Sequence, residues 1–215
     1  MPDWVLSPSE IVRAFAAALA SGDLLPHVAA SLTRSIPGFL LGTLAGVSQT
    51  ADAMLSASVF LTYPVPKIVM LPIVMVWFGI GDVSKVVIIA LACFYPAFIN
   101  AYYGARSTRA ILVWSALNMG ARPRHLFWKV VVPSASPMIL SGVRVALALS
   151  FILLFASEMV GARSGLGYLI KQSENSLRFD LMYVSIVTIA ILGSLGDTLL
   201  RVAGRRLVRG QEEQA

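Results

Sequence analysis

Charged residues are scarce in this sequence of 215 residues: Asp, Glu, Lys and Arg together make up 13%, about half of the share that is usual in a soluble domain. Hydrophobic residues account for 57%, and the mean hydropathy is +0.78. This composition excludes an ordinary soluble domain and predicts an integral membrane protein.

The sequence also lacks the motifs of common enzymes and nucleotide-binding proteins. It contains no Gly-x-x-x-x-Gly-Lys-Ser/Thr phosphate-binding loop, no His-Glu-x-x-His and no Gly-x-Ser-x-Gly. Its two histidines, His27 and His125, are far apart. The single cysteine, Cys93, can form no internal disulfide and is predicted to be a small packing residue. We therefore expect no enzyme activity, no metal site and no cofactor bound by this chain.

Acidic residues are absent between Val83 and Ser157, and this interval contains a strongly basic loop, residues 105–133. The basic residues of the loop are Arg106, Arg109, Arg122, Arg124 and Lys129, and those of the C-terminal tail are Arg201, Arg205, Arg206 and Arg209. Basic segments beside apolar spans stay in the cytoplasm, so the loop and the C-terminus are both predicted to be cytoplasmic. Charge placed in this way orients membrane helices and does not follow a phosphate backbone, so nucleic-acid binding is not expected.

The first helix is predicted at the N-terminus. Ser7-Pro8-Ser9-Glu10 is typical of a helix start, with Ser7 as the N-cap, Pro8 at the first position and Glu10 closing a capping box. The helix is predicted to run to about Ala20 as an amphipathic helix at the membrane surface.

The first span, Ile36–Val47, is predicted to be short, because Arg34 and Pro37 lie where a longer span would begin. Within it, Gly42 and Gly46 either permit close helix packing or only loosen a short helix.

The second span candidate, Ala57–Ile80, is interrupted by Tyr63-Pro64-Val65-Pro66-Lys67. An irregular backbone at membrane depth is tolerated where it faces protein or a water-filled cavity. This segment is therefore either the lining of a pathway or a kinked helix with Lys67 near one interface. Gly79–Asp82 is predicted to form an external turn.

Three further spans are predicted, namely Val83–Tyr103 running inward, Ala135–Val160 running outward and Leu181–Leu200 running inward.

The basic loop predicts a helical hairpin. Ile111–Met119 is predicted to form a short helix that Gly120 ends, since glycine turns a chain at a helix end without steric cost. Arg122-Pro123 is predicted to start a second helix that runs to about Val132, and two tryptophans, Trp114 and Trp128, would hold the helices at headgroup level. A rigid hairpin that exposes small residues is suited to docking in a cleft of another protein.

This hairpin resembles the cytoplasmic EAA loop in the permease subunits of bacterial ABC importers, whose usual form is Glu-Ala-Ala, three residues, Gly, nine residues, Ile, one residue and Leu-Pro. The spacing is intact here, although Trp114 stands at the Glu position and Ser115 at the second. By this resemblance, the residues expected to dock an ATPase are Trp114, Ser115, Ala116, Gly120, Ala121, Val130 and Pro133. Other segments are similar to the nitrate/sulfonate/taurine branch of these permeases: Tyr63–Ile68, Leu71-Pro72, Trp77–Gly81, Ser157–Ala162 and Gly165–Ile170.

The resemblance implies an all-α, polytopic membrane protein with a type I ABC importer permease fold and about five spans, the first one short. It implies a multi-pass protein of the bacterial cytoplasmic (inner) membrane, in contact with lipid, that pairs with a second permease chain as a homodimer. The expected partners are a cytoplasmic ATPase that binds the ATP and an extracytoplasmic solute-binding protein. The expected function is to form the translocation path for a small solute, an oxyanion such as a sulfonate, taurine or nitrate.

The chain is predicted to comprise an amphipathic region, residues 1–33, a permease domain, residues 34–209, and a tail, residues 210–215. Family members usually begin with an additional N-terminal span that is not seen here, and the first span is predicted to be short. The alternative is therefore a truncated, non-functional or structural membrane remnant of such a permease.

Polar or irregular residues within the spans are candidates for the translocation path. They are Pro64, Pro66, Lys67, Tyr95, Asn100, Arg144 and Glu158. Each has an alternative: Glu158 could stabilise a helix end or pair with a neighbouring Lys or Arg, Arg144 could extend to the interface, and the other polar residues could hydrogen-bond between helices. Asp197 is expected to pair with Arg201, four residues later.

Overall fold

The computed structural model describes residues 6–48 and 59–212, with side chains described as far as Gly204. The predicted start of the interrupted span at Ala57, the first five residues and the last three therefore lie outside the described residues. No β-strand occurs in the described ranges, and the predicted all-α class is confirmed.

The α-helices within these ranges are α1 (Pro8–Ala20), α2 (Leu24–Gly46), α3 (Leu71–Phe78), α4 (Asp82–Arg106), α5 (Ala110–Asn118), α6 (Pro123–Leu126), α7 (Val132–Met159), α8 (Leu166–Asn175) and α9 (Phe179–Glu212). A 3-10 turn, Lys67–Met70, leads into α3, and a π-helical turn, Phe127–Val131, joins α6 to α7. Four helical segments of the described chain are long and apolar enough to cross a membrane: α2, α4, Pro123–Met159 and Phe179–Gly204.

The capping box predicted at the start of α1 is confirmed. The Glu10 N–H donates to Ser7 Oγ at 3.4 Å, the Ser7 N–H donates to Glu10 Oε2 at 2.7 Å, and α1 ends at Ala20 as predicted. The apolar face of α1 packs on α8 and α9 through Ala18, which joins a buried cluster with Leu166 and Val184. The helix is therefore fixed to the body of the protein by packing.

The prediction that the first span starts at Ile36 is wrong, because α2 begins twelve residues earlier and contains 23 residues, about 35 Å of helix. Arg34 does not end the helix: its side chain is buried and ion-paired with residues of two other helices. Pro37 is also accommodated inside α2, as proline can be in membrane helices whose neighbours satisfy the freed backbone groups.

Gly42 and Gly46 of α2 lie in the contact with α4. Of the two alternatives for these glycines, close helix packing or a loosened short helix, the structure shows close packing. A Cβ on Gly42 would overlap the carbonyl oxygen of Ala90, and one on Gly46 would lie 2.6 Å from the carbonyl oxygen of Phe94. Beside Gly42, Cys93 of α4 is fully buried and its thiol donates to the carbonyl of Ala146 in α7 at 3.3 Å. The structure thus confirms Cys93 as a packing residue between α4 and α7.

Residues 59–78 follow α4 in the opposite direction and form a broken crossing. Near the C-terminal end of α4, Phe60 contacts the Tyr102 ring with centroids 5.3 Å apart. Near its N-terminal end, Leu71 and Val74 share a buried cluster with Ile88. Together with the four long helices, this broken segment accounts for the predicted number of about five spans.

Candidate functional site

The segment between α4 and α7 is a helical hairpin with a fixed turn. Its first limb, α5, ends at Asn118, and Gly120 follows with a φ of 78°, the left-handed conformation expected for it. The N–H groups of Gly120 and Ala121 donate to the carbonyls of Leu117 and Ala116 at 2.9 and 3.0 Å. The predicted order of helix, glycine turn and helix is confirmed.

The first limb of the hairpin is almost entirely exposed. No residue of α5 is buried, the exposed fraction of Trp114 is 66%, and that of Met119, just after the limb, is 83%. Among the predicted docking residues, Ser115 and Gly120 are also exposed. The docking residues on the inner side and at the base of the hairpin are half-buried, namely Ala116, Ala121, Val130 and Pro133. The exposed side of this apolar helix is available for another molecule.

The second limb does not end near Val132 as predicted but continues into a span. Residues Pro123–Met159 form one helical rod of 37 residues, about 55 Å long. Its π-helical turn ends two residues before Pro133, a residue that lacks an N–H and whose ring would clash with the carbonyl of Lys129 in a regular helix. The widened turn therefore lets the helix pass through this proline, and one helix connects the hairpin to the opposite end of the bundle.

Lys67 lies beside the middle of α4. Its ammonium group is 3.8 Å from the centroid of the Tyr95 ring. Tyr95 is the fourteenth of the 25 residues of α4, about 20 Å along the helix from its first residue. The Nζ atom donates to the carbonyls of Thr62 and Val65, each at 2.8 Å, and of Tyr63 at 3.3 Å. Lys67 thus binds three backbone carbonyls within the break.

The two prolines of the break, Pro64 and Pro66, are exposed on the outside of the single chain. Asn100 lies elsewhere: it is five residues after Tyr95 on α4, hence on a different face, and its Nδ2 donates to the carbonyl of Pro96 at 2.8 Å. The structure therefore brings Lys67, Tyr95 and the prolines together and leaves Asn100 in the contact with α7.

Glu158 lies at the C-terminal end of α7 in a buried ion pair. Arg34 of α2 donates from Nη1 to Glu158 Oε1 at 2.8 Å, and the exposed fractions of these residues are 4% and 1%. Arg34 also donates from Nε to Asp82 at 2.7 Å and from Nη1 to the carbonyl of Ser164 at 2.6 Å. This geometry agrees with the alternative that Glu158 pairs with a cation of a neighbouring helix.

The same carboxylate also orders the N-terminus of α8. Glu158 Oε2 accepts from the N–H of Gly167 at 2.9 Å, and the Ser31 hydroxyl lies 2.9 Å from both carboxylate oxygens while accepting from the N–H of Leu166 at 2.8 Å. A Cβ on Gly165 would overlap the carboxylate. This cluster (Arg34, Asp82, Glu158 with Ser31 and Ser164) joins α2, α4, α7 and α8. We call it the outer charge cluster, because the predicted orientation of the spans places it on the outer side.

Arg144 is paired across to α9 and is partly exposed. Its Nε and Nη2 donate to the two oxygens of Asp197 at 2.8 and 3.3 Å, and Arg201 approaches the same carboxylate at 2.6 Å. The predicted pair of Asp197 and Arg201 is confirmed. The pairing of Arg144 was not predicted, because the sequence offers no signal that places it beside Asp197.

The comparisons with known proteins agree on one family. The family described as "binding-protein-dependent transport system inner membrane component" matches residues 38–209. The putative aliphatic sulfonates transport permease protein SsuC of Escherichia coli is 35% identical over 94% of this chain and 80% of its own length. The taurine transport system permease protein TauC of the same organism is 35% identical over 86% of this chain and 70% of its own length.

A solved structure shares the fold. A chain of the MetNI methionine ABC transporter, in an inward-facing conformation, superposes with a TM-score of 0.59 over 85% of this chain and 91% of its own length, at 24% sequence identity. At this level of identity the likeness speaks for the fold alone, which is that of a type I importer permease.

Proposed function

The chain belongs to the family of inner membrane components of binding-protein-dependent transport systems, and from this premise we propose that it forms the translocation path of an ATP-driven importer for a sulfonate or taurine. The relatives SsuC and TauC, whose names specify aliphatic sulfonates and taurine, support this class of solute. ATP is bound and hydrolysed by a separate cytoplasmic subunit, and an external binding protein delivers the solute. Two copies of the chain enclose the path in the cytoplasmic membrane of a bacterium, with the C-terminus in the cytoplasm.

The observation that carries this proposal is the physical continuity between the hairpin and the outer charge cluster. An ATPase that grips the hairpin moves the rod Pro123–Met159, whose far end carries Glu158. Glu158 contacts two other helices, α2 and α8, through buried polar bonds. Movement of the hairpin therefore changes the packing at the opposite face of the membrane, which is what alternating access requires.

The broken crossing supports a path beside Lys67. Irregular backbone at membrane depth is tolerated where it is buried in protein or lines a water-filled cavity, and residues 61–66 are exposed on the surface of the single chain. In a dimer, this surface faces the space between the two copies. An oxyanion in that space meets the cationic Lys67 and the hydroxyls of Thr62 and Tyr95, which are 2.9 Å apart.

The competing function is a structural remnant that no longer transports. One argument for it was the short first span, and that argument fails because α2 has 23 residues. The intact geometry of the hairpin likewise favours a working permease.

The variant Gly120→Val tests the proposal. Valine cannot readily adopt a φ of 78°, so the turn of the hairpin is distorted although a Cβ at this position would touch nothing within 4 Å. We expect ATP-dependent uptake of labelled taurine to be lost in proteoliposomes that contain the ATPase and the binding protein.

The matched control is Gly22→Val. Gly22 has a φ of 79° and equally open surroundings, but it lies in the turn between α1 and α2. This control is expected to transport, since the same backbone strain is placed away from the hairpin. Normal uptake by Gly120→Val, or equal losses in both variants, contradicts the proposal.

A further inference from the structure

A hollow of about 580 Å³ lies between the two limbs of the hairpin. Its lining includes Ala116 and Gly120 of the first limb and turn, and three basic side chains of the second limb, Arg122, His125 and Lys129. All three basic side chains are exposed. Neither Arg122 nor Lys129 makes an ion pair with any carboxylate of the described residues.

No acidic residue near this hollow in the sequence balances its positive charge. No Asp or Glu occurs between Val83 and Ser157, an interval that contains the whole hairpin. A surface with two unpaired cations is complementary to a carboxylate or a phosphate.

The shape of the hollow is fixed by the hairpin turn. Three consecutive N–H groups at the turn, those of Met119, Gly120 and Ala121, donate to carbonyls of α5 at distances between 2.9 and 3.1 Å. On the outside of the same limb, Trp114 is 66% exposed. The hairpin therefore presents a concave cationic side and a convex apolar side in a constant arrangement.

On the basis of the ATPase docking proposed above, we propose that an acidic side chain of the ATPase enters this hollow and lies between Arg122 and Lys129. In the same contact, Trp114 enters an apolar recess of the ATPase. In a loop with Glu at the position of Trp114, the loop supplies the negative charge of the contact. In this chain the loop supplies the positive charge, and the ATPase supplies the negative one. Anionic lipid headgroups offer the same charge, but adsorption to a lipid surface needs no concave site of fixed shape. The geometry favours a protein carboxylate for this reason.

Charge reversal within the hollow tests the proposal. Arg122→Glu and Lys129→Glu are expected to weaken binding of the purified ATPase by roughly tenfold or more, because like charges are then brought together in the contact. The matched control is Arg109→Glu, the same charge change at the exposed start of α5 and outside the hollow. The control is expected to bind within about twofold of the original chain, as for an exposed charge without a partner.

Binding is measured in nanodiscs of phosphatidylcholine and, separately, in nanodiscs that also contain phosphatidylglycerol. The proposal predicts the same weakening in both, a loss of affinity of the original chain as salt is raised, and recovery when an acidic residue of the ATPase groove is changed to Lys. Weakening that occurs only with phosphatidylglycerol assigns the charges to lipid and overturns the proposal.

The test separates this proposal from the function on which it rests. Undiminished binding by both hollow variants, with binding still lost in Gly120→Val, overturns the acidic contact and leaves ATPase docking in place. Absence of ATPase binding by the original chain overturns both.

Discussion

Breaking the buried pair of Arg34 and Glu158 is predicted to destabilise the protein strongly. Glu158→Ala leaves the Arg34 guanidinium buried with one carboxylate fewer and leaves the N–H of Gly167 without its acceptor. Removal of one partner of a buried ion pair costs about 3–5 kcal/mol in unfolding free energy. For a chain of this size, this corresponds to a fall of about 6–20 °C in the midpoint of thermal unfolding.

The double variant Arg34→Met/Glu158→Leu shows whether the pair itself is responsible. Removing both charges and filling the space with apolar atoms is often nearly neutral, so the double variant is expected to lose less than the sum of Arg34→Met and Glu158→Leu measured singly. The assay is thermal unfolding in detergent followed by tryptophan fluorescence, with Lys171→Ala as the control. Lys171 pairs with Glu174 on the surface, where both side chains are about half exposed, and its loss is expected to change the stability by less than about 1 kcal/mol. Additive losses in the double variant would refute the reasoning.

Two further predictions concern the packing of α2 and the cap of α1. Gly42→Ala is expected to lower the unfolding free energy by about 1–3 kcal/mol, since its Cβ would overlap the carbonyl of Ala90, whereas Gly193→Ala, whose Cβ would lie 3.9 Å from Phe151, is expected to be neutral in the same thermal assay. At the start of α1, the hydrogen bonds from the Ser7 hydroxyl and N–H lower the pKa of Glu10. The stability that this cap contributes is therefore present above the ordinary pKa of a glutamate and is lost as the pH falls through the lowered pKa. Titration of Glu10 by NMR should show its pKa rising in Ser7→Ala, and an unchanged pKa would contradict this assignment.

Local signals in the sequence were sufficient to predict the hairpin and the cap of α1. Gly120 between two helix-forming segments indicated the turn, and Ser7 with Glu10 indicated the capping box. Both features depend on residues that are within five positions of one another. Short-range hydrogen bonds of this kind are specified by the adjacent residues, so no knowledge of the tertiary structure was needed.

The outer charge cluster could not be predicted in the same way. Arg34 was read as the boundary of a span because one charge in an apolar segment is unfavourable at membrane depth. Its partners are 48 and 124 positions further along the chain, and only the packing of α2 beside α4 and α7 brings them together. The error in the start of the first span and the failure to name Arg34 as a site residue have this single cause.

The second limb of the hairpin was predicted too short for a different reason. It was predicted to run to about Val132, and the next residue, Pro133, is of a type that removes a backbone donor and clashes with the preceding turn. The π-helical turn at Phe127–Val131 absorbs this defect and lets the helix continue to Met159. Irregular turns of this type leave no clear mark in the sequence.

The most direct test of the account is the side of the membrane on which the hairpin lies. In Ser115→Cys, a membrane-impermeant thiol reagent is applied to intact cells and to inside-out vesicles, and the buried Cys93 gives little background. The account predicts labelling of inside-out vesicles only, with protection when the ATPase is bound. Labelling of intact cells from outside, or equal labelling with and without the ATPase, would contradict it.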